Sequence, residues 1–130
     1  MPTKTDIGRA GEFLVMSRLS LLGLYCVHSD SYADDVWIKD KGGKIFTLQV
    51  KACREGKKRG IRGKASYYFR SYGSGADMYA FVALDTGLIL YRTRSQVTTG
   101  GVRISAEKFT EQAEQDSLLF CLEQVANDTF

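Results

Sequence analysis

A hairpin pattern occupies residues 35–51, which read DVWIKDKGGKIFTLQVK. Two short segments rich in β-branched and aromatic residues, 36–39 and 45–52, predict two strands. The glycine pair between them, Gly42-Gly43, favours a tight turn because glycine tolerates the positive φ angles that short hairpins require. We therefore predict that the two strands pair side by side within a sheet.

Three polar side chains are expected to meet at the open end of this hairpin. Side chains alternate along a strand, so Gln49 and Lys51 point to the same face. Asp35 begins the partner strand and lies near that end. A carboxylate, an amide oxygen and an ammonium group at one point can hold a divalent cation and a phosphodiester together. Asp34 is an alternative ligand, but we prefer Asp35 because it directly precedes the apolar Val36.

Positive charge is concentrated in one segment of the chain. The whole protein has 18 Lys and Arg, 15 Asp and Glu, and a formal net charge of +3. Residues 51–70 hold eight basic side chains and one acid, a net +7, whereas the other 110 residues carry a net −4. Such segregation favours a polyanion-binding surface over a merely solvated loop. The residues expected to contact DNA are Arg54, Lys57, Lys58, Arg59, Arg62, Lys64 and Arg70.

Together with the hairpin, the rest of the chain predicts one α/β domain over residues 1–130. Its elements are expected in the order α-β-β-β-β-β-α. Thr5 or Asp6 is expected to cap a first helix that runs to about Leu22, with Gly23 just past its end. Ser105 is expected to cap a C-terminal helix over residues 106–125. The further predicted strands are residues 25–27, 78–84 and 88–93. Residues 56–63 are expected to form a loop, and residues 66–70 to be extended.

Aromatic residues are divided between two roles. We expect one group to lie in the core: Trp37, Phe46, Phe69 and Phe81. A second group is interleaved with the basic segment, where it either contacts a nucleic-acid backbone or packs beneath it: Tyr67, Tyr68 and Tyr72.

Composition excludes several other classes of protein. The 130 residues are 44% hydrophobic and 25% charged, which is ordinary for a soluble globular domain. No apolar run approaches the roughly 20 residues that span a bilayer, and the N-terminus lacks a secretory h-region. Three widely spaced cysteines predict reduced thiols in a cytoplasmic protein. The single histidine, His28, argues against a hydrolytic triad or a multi-histidine metal cluster and is expected to be an ordinary strand or loop residue.

These features resemble the PD-(D/E)xK nuclease superfamily. Its pattern is an acid at a strand start, an acid-x-Lys on the next strand and often a glutamate on the first helix. The matching positions are Asp35, Gln49-Val50-Lys51 and, within Gly8-Arg-Ala-Gly-Glu12, Glu12. Group I intron-encoded homing endonucleases of that fold are similar in these elements, and in the strand Ala76-Asp-Met-Tyr-Ala-Phe-Val82 followed by Leu90-Tyr91-Arg92. The likeness covers roughly residues 6–95.

The resemblance implies a fold and a set of residue roles. The fold is a restriction-endonuclease-like core, a mixed central β-sheet flanked by an N-terminal and a C-terminal helix. Asp35 would be the main metal ligand and Glu12 the second carboxylate. Gln49 would be a neutral ligand where the superfamily usually has Asp or Glu, a variant that the homing subgroup implies is active. Lys51 would orient the attacking water or stabilise charge that develops on phosphorus.

We therefore expect a Mg²⁺-dependent endonuclease that hydrolyses phosphodiester bonds in duplex DNA, with Mn²⁺ as a substitute cation. A homing role is favoured, although a restriction role is not separated from it. Cleavage of both strands requires two active sites, so a homodimer or homotetramer is expected. The alternatives are a Holliday-junction resolvase of the same fold and a DNA-binding module without catalysis. An RNA-binding protein ranks last, because the sequence has no RNP or GXXG motif.

Overall fold

One helix lies near each end of the chain in the computed structural model, which describes residues 1–29, 35–58, 63–71, 75–97 and 100–128. Helix α1 spans Lys4–Leu21 and helix α2 spans Glu111–Ala126. The cap of α1 is Thr3, not Thr5 or Asp6 as predicted. Asp6 instead completes a capping box, because its backbone N–H donates to Thr3 Oγ1 and its carboxylate accepts from the Thr3 N–H. Gly23 follows the helix with φ +85°, the predicted left-handed conformation.

Strands within the described residues form two sheets. The large sheet contains β1 (Tyr25–His28), β2 (Val36–Lys39), β3 (Ile45–Cys53), β6 (Met78–Ala83) and β7 (Leu88–Thr93). Its order is β1-β2-β3-β6-β7, and it is mixed because β3 and β6 are parallel while the other neighbours are antiparallel. The small sheet contains β4 (Lys57–Lys58), β5 (Ala65–Ser71) and β8 (Gly100–Ser105) in the order β4-β5-β8.

The large sheet lies between the helices and the small sheet. Strand β6, which lies between β3 and β7, is buried throughout, and its alternate residues enter two separate cores. Met78, Ala80 and Val82 pack with residues of both helices, including Val15 and Leu118. The intervening residues pack against the small sheet: Tyr79, Phe81 and Ala83. The two helices therefore share one face of the large sheet, and the small sheet covers part of the other.

Two strands were absent from the sequence prediction. Lys57–Lys58 form β4 inside the predicted loop 56–63, of which residues 59–62 lie outside the described ranges. Strand β8 was missed because only Val102 and Ile104 alternate inward, after two glycines that weaken a strand pattern. Its pairing partner β5 is about thirty residues away in sequence, so the stabilising contacts are tertiary.

The predicted start of the C-terminal helix was also wrong. Residues Ala106–Lys108 form a short 3-10 turn, and Phe109 is buried between that turn and α2. The Thr110 hydroxyl accepts from the Ala113 N–H at 3.0 Å and caps α2 in place of Ser105. Burial of Phe109 against Tyr67, at 4.9 Å between ring centroids, fixes this break before the helix.

The predicted aromatic core is confirmed for Phe46, Phe69 and Phe81 but not for Trp37, which is 47% exposed. Trp37 lies on β2 between buried Val36 and Ile38, so its side chain points to the opposite face of the sheet. Within the described residues, no helix has both the length and the apolar character needed to span a membrane.

Candidate active site

The Asp35 carboxylate binds the backbone of β3 at the point where the pairing of β3 with β2 ends. The β2–β3 pairing stops at Val36 and Leu48, so the N–H groups of β3 beyond Leu48 have no partner on β2. Asp35 Oδ2 accepts a hydrogen bond from the Val50 N–H at 2.8 Å. The Asp35 N–H donates to the Leu48 carbonyl at 3.1 Å and fixes the start of the strand. This geometry holds Asp35 beside β3, as the hairpin pattern predicted, whereas Asp34 lies outside the described residues.

Gln49 contacts the same carboxylate oxygen. Its Nε2 donates to Asp35 Oδ2 at 2.8 Å. Its Oε1 is buried and has no hydrogen-bond partner among the described residues. A buried acceptor without a donor costs about 1–3 kcal/mol and is rare in folded proteins. Such an oxygen is suited to accept a donor or a cation that binds from outside the chain.

Several neighbouring groups shift the pKa of the Asp35 carboxyl. Burial raises the pKa of the Asp35 carboxyl, the hydrogen bond from the Val50 N–H lowers it, and the charge of Glu12 raises it again. The Lys51 ammonium and the His28 imidazole lie close enough to lower the same pKa. The net shift is upward from 3.8, so the folded protein opposes ionisation of this carboxyl. The structure thus places Glu12, Gln49 and Lys51 around Asp35.

Helix α1 brings Glu12 to this point because it packs very closely on β3. A Cβ added at Gly11 would lie 2.7 Å from the Ala52 Cβ, so only glycine permits this approach. A Cβ added at Gly8, by contrast, would meet nothing closer than Glu12 Oε2 at 3.9 Å. The exposed face of α1 then lines a cleft of about 270 Å³ with residues from β1 and the start of β2: Thr5, Gly8, Arg9, Glu12, His28, Ser29 and Asp35.

His28 is a site residue that sequence reasoning missed. It was expected to be an ordinary strand or loop residue, but its Nε2 lies 2.7 Å from Glu12 Oε1. Both side chains are mostly buried, with 22% and 15% of their surface exposed. The Phe13 ring lies 5.5 Å from the imidazole and packs beside it. Only the packing of α1 against β1 brings this pair together, so no local spacing pointed to it.

Thr5 and Arg9 were missed for a different reason. Both share one face of α1 with Glu12, at helical spacings of three to four residues. That spacing is visible in the sequence and could have identified them as neighbours of Glu12. The Arg9 guanidinium is exposed at the rim of the cleft, where it can contact an anionic group.

The side chains at this site that can bind a cation offer oxygen atoms. Within the described residues, no group of three His, Cys, Asp or Glu side chains is arranged to hold a metal ion. The candidate donors are two carboxylates, Glu12 and Asp35, and the amide oxygen of Gln49. Oxygen donors of this kind suit Mg²⁺, which keeps several waters and takes few protein ligands. The buried, unpartnered Gln49 Oε1 is the structural observation that fits such an ion.

The described basic residues of the 51–70 segment lie at the protein surface. Arg54, Lys57, Lys58, Lys64 and Arg70 are all exposed, while Arg59 and Arg62 lie outside the described residues. Lys64 Nζ approaches Glu107 Oε2 at 3.4 Å, but both side chains remain more than half exposed. A pair of this kind contributes little to stability, and solvent and salt screen it strongly. These exposed basic residues therefore form a cationic surface that the Lys64–Glu107 pair does little to neutralise.

The three interleaved tyrosines do not share one role. Tyr67 is buried on the inner face of the small sheet, and its hydroxyl donates to Asp85 Oδ1 at 2.7 Å. Burial, together with this contact, raises the pKa of Tyr67 to about 12. Tyr68 is 48% exposed on the outer side of the same strand. Tyr72 lies outside the described residues.

Comparison with known proteins identifies the fold. No protein-family model matches the sequence. No curated protein matches it either. Among solved structures, the chain is similar to a bacterial homing endonuclease, I-Ssp6803I, with a TM-score of 0.71 and 13% sequence identity over 98% of both chains. The mixed five-stranded sheet with an N-terminal and a C-terminal helix is thus a homing-endonuclease-like fold, as the sequence predicted.

Proposed function

We propose that this chain is a metal-dependent endonuclease that hydrolyses phosphodiester bonds in duplex DNA, and that its role is that of a homing endonuclease. The observation that carries the proposal is the convergence of Glu12, Gln49 and Lys51 on the half-buried Asp35 carboxylate. The fold likeness to a protein described as a bacterial homing endonuclease supports it. The assignment of this fold to the PD-(D/E)xK superfamily rests on the same four residues.

Each residue has a distinct role in this proposal. Asp35 and Glu12 would hold a Mg²⁺ or Mn²⁺ ion with their carboxylates, and Gln49 would add its buried amide oxygen. When bound, the ion would supply positive charge at the scissile phosphate and increase the acidity of a water molecule. The Lys51 ammonium would orient the attacking water or stabilise negative charge on the phosphate oxygens. His28 would hold the Glu12 carboxylate in place through its 2.7 Å contact.

The cationic surface would hold DNA across this site. Gln49 and Lys51 point to the face of the large sheet on which the small sheet stands, since each is paired with a β6 residue of that face. The exposed basic residues lie at the end of β3 and on the small sheet, so a duplex that contacts them passes close to Lys51. Contacts of this kind to phosphates position a duplex without reading its sequence.

Self-association would supply the second active site. Four apolar side chains at adjoining register positions of β1, β2 and β3 are between 47% and 67% exposed: Tyr25, Val27, Trp37 and Ile45. An apolar sheet face of this size favours contact with another protein surface, here a second copy of the chain. We expect light scattering to show a homodimer or homotetramer, free or on DNA. A monomer in both conditions would contradict this part of the proposal.

The decisive experiment is cleavage of a randomised plasmid library with Mg²⁺ and with EDTA, by the native protein and by Lys51→Ala. We expect cutting only with the metal and its loss by orders of magnitude in the variant, while DNA binding weakens only a few-fold. A control is Lys41→Ala, an exposed lysine in the β2–β3 turn at the opposite end of the hairpin from the site. Equal losses of binding and cleavage in Lys51→Ala would make Lys51 a phosphate contact only.

A second candidate, a DNA-binding module without catalysis, is favoured by one observation. Gln49 stands where an acid would bring a further negative charge, and an amide oxygen holds Mg²⁺ less strongly. This candidate expects salt-sensitive DNA binding and no metal-stimulated cutting. The same plasmid experiment separates it from the nuclease.

A further inference from the structure

The outer face of the small sheet carries an organised arrangement of cationic and aromatic side chains. On β5, Tyr67 and Phe69 point inward to the core, so Ser66, Tyr68 and Arg70 point outward. On β8, Val102 and Ile104 point inward, so Gly101 and Arg103 point outward. Tyr68 and Arg103 are direct cross-strand partners in the antiparallel register. Lys57 on β4 pairs with Ser66 and belongs to the same outer face.

Tyr68 lies flat on this sheet because Gly101 has no side chain. A Cβ added at Gly101 would come within 2.7 Å of two ring carbons of Tyr68 and closer still to its hydroxyl oxygen. The aromatic ring therefore fills the space that any other residue at 101 would occupy. Because the clash is with the outer part of the Tyr68 side chain, a larger residue at 101 would displace the ring.

Arg103 is held over this ring. Its guanidinium carbon lies 5.3 Å from the centroid of Tyr68, within the range of a cation–π contact. Its Nη1 donates to the Ser66 hydroxyl at 3.3 Å. It makes no ion pair with any acidic side chain in the part of the chain that the structure describes. Arg103 thus presents an oriented guanidinium whose charge no described acidic side chain neutralises.

We propose that the outer face of the small sheet reads base sequence in the major groove of duplex DNA, and that Arg103, positioned by Tyr68 and Gly101, is the guanine-contacting residue. The inference rests on the proposed function for its ligand, and it adds a sequence-reading surface to the phosphate-contacting one. The major groove admits a two-stranded antiparallel ribbon, and beyond the two-residue β4 the small sheet is such a ribbon of β5 and β8.

The chemistry of arginine supports a base contact over a phosphate contact at this position. A guanidinium matches the O6 and N7 acceptors of guanine with two parallel hydrogen bonds, which a lysine cannot reproduce. Stacking on Tyr68 removes much of the side-chain freedom that would otherwise be lost on binding. Lys57, on the same face, has a flexible ammonium and is expected to contact phosphate.

The test is selection of duplexes from a randomised library in EDTA, so that binding is measured without cleavage. Native protein is expected to select a preferred site. Arg103→Lys should lose discrimination about 5- to 140-fold at one or two adjacent base pairs and keep its salt dependence. Lys57→Ala is the matched control on the same face. It should weaken binding to all sequences alike and lower the slope of log Kd against log salt by about one.

Substitutions at Tyr68 and Gly101 test the inference independently of Arg103. Tyr68→Phe keeps the ring and should keep the base preference, whereas Tyr68→Leu and Gly101→Ala should lose it at the same base pairs as Arg103→Lys. Circular dichroism and thermal melting identify any variant that fails to fold. Because Tyr68→Phe and Arg103→Lys are conservative changes at exposed positions, they keep the test valid even if Gly101→Ala unfolds.

Two outcomes would overturn the inference. If Arg103→Lys selects the same site with unchanged preference, Arg103 does not read a base. If native protein binds all duplexes equally, the small sheet reads no sequence, whatever the plasmid assay shows. Sequence-selective binding without metal-dependent cutting would instead refute the nuclease and leave this inference in place. The two failures are therefore distinguishable.

Discussion

Asp35 and Gln49 share one hydrogen bond that leaves the other end of the amide without a partner. Gln49 Nε2 donates to Asp35 Oδ2 at 2.8 Å, while Gln49 Oε1 is buried and unpaired among the described residues. The bond holds the amide in one orientation, with its nitrogen towards the carboxylate. A carboxylate at position 49 would repel Asp35 instead, so glutamine is compatible with a closely packed site before any cation binds.

Replacement of Asp35 by Asn is expected to stabilise the fold and abolish cleavage. Burial is the largest cause of the raised pKa, so the charged carboxylate destabilises the folded state at neutral pH. We expect Asp35→Asn to melt a few degrees higher than the native protein at pH 7. The sign follows from linkage: the advantage is largest above the folded pKa and disappears as pH falls below 3.8, where the carboxyl is protonated in both states.

The same variant tests the metal without an activity assay. Mg²⁺ that binds only the folded protein raises its stability by about 2.7 kcal/mol at 100 times its Kd. Native protein should therefore melt at higher temperature with added Mg²⁺, and Asp35→Asn should not. A variant that melts lower than the native protein at pH 7 would show instead that Asp35 acts mainly as the anchor of Val50.

Loss of His28 is expected to weaken cleavage through Glu12. His28→Ala removes the 2.7 Å partner of the Glu12 carboxylate and should lower activity about 10- to 100-fold, the range typical of residues that orient metal ligands. The Mg²⁺ concentration for half-maximal cleavage should rise in the same variant. His28→Gln retains an N–H donor and should recover most of both effects. Equal defects in the two variants would show that the imidazole does not act through a hydrogen bond to Glu12.

Two glycines of α1 should respond in opposite ways to the same substitution. Ala at Gly11 would meet the Ala52 Cβ at 2.7 Å, so the helix must move away from β3 at a cost of about 1–3 kcal/mol. Ala at Gly8 meets nothing closer than 3.9 Å and should stabilise the helix by about 0.5–1 kcal/mol. Denaturant titration of both variants measures the difference. A stabilised Gly11→Ala would contradict the close approach of α1 to β3.

Asp77 is expected to be a structural residue and not a ligand. Its Oδ2 accepts from the Thr47 N–H at 3.0 Å, and its Oδ1 accepts from Arg94 Nη2 at 2.6 Å. Asp77→Ala leaves the Thr47 N–H unpaired and should destabilise the protein by about 1–3 kcal/mol. Cleavage measured well below the melting temperature should keep its native metal dependence. A change in that dependence would place Asp77 in the active site.

Local sequence patterns predicted those features that depend on neighbours in the chain. Alternation along β3 placed Gln49 and Lys51 on one face, and Asp35 at the start of β2 was predicted to lie beside them. Both expectations match the structure, because a hairpin fixes its own register through its turn. The same logic failed for Trp37: its aromatic character favoured the core, but its position in the strand directs it to the exposed face.

Features that depend on packing between distant segments could not be predicted. The contact of His28 with Glu12 requires α1 to lie across β1, and the stacking of Arg103 on Tyr68 requires β8 to pair with β5. Neither pairing leaves a local pattern in the sequence. Strand β8 itself was missed for this reason, since two inward residues after a glycine pair give little signal alone.

The sequence by itself determined the β2–β3 hairpin, the shared face of Gln49 and Lys51, and the concentration of positive charge near residues 51–70. These follow from strand alternation, turn chemistry and composition, which act over a few residues. Only the tertiary structure decided that Glu12 reaches Asp35 and that the small sheet stands beside the site. The short distance between α1 and β3 depends on the close approach of Gly11 to Ala52. Close packing of this kind depends on the whole core.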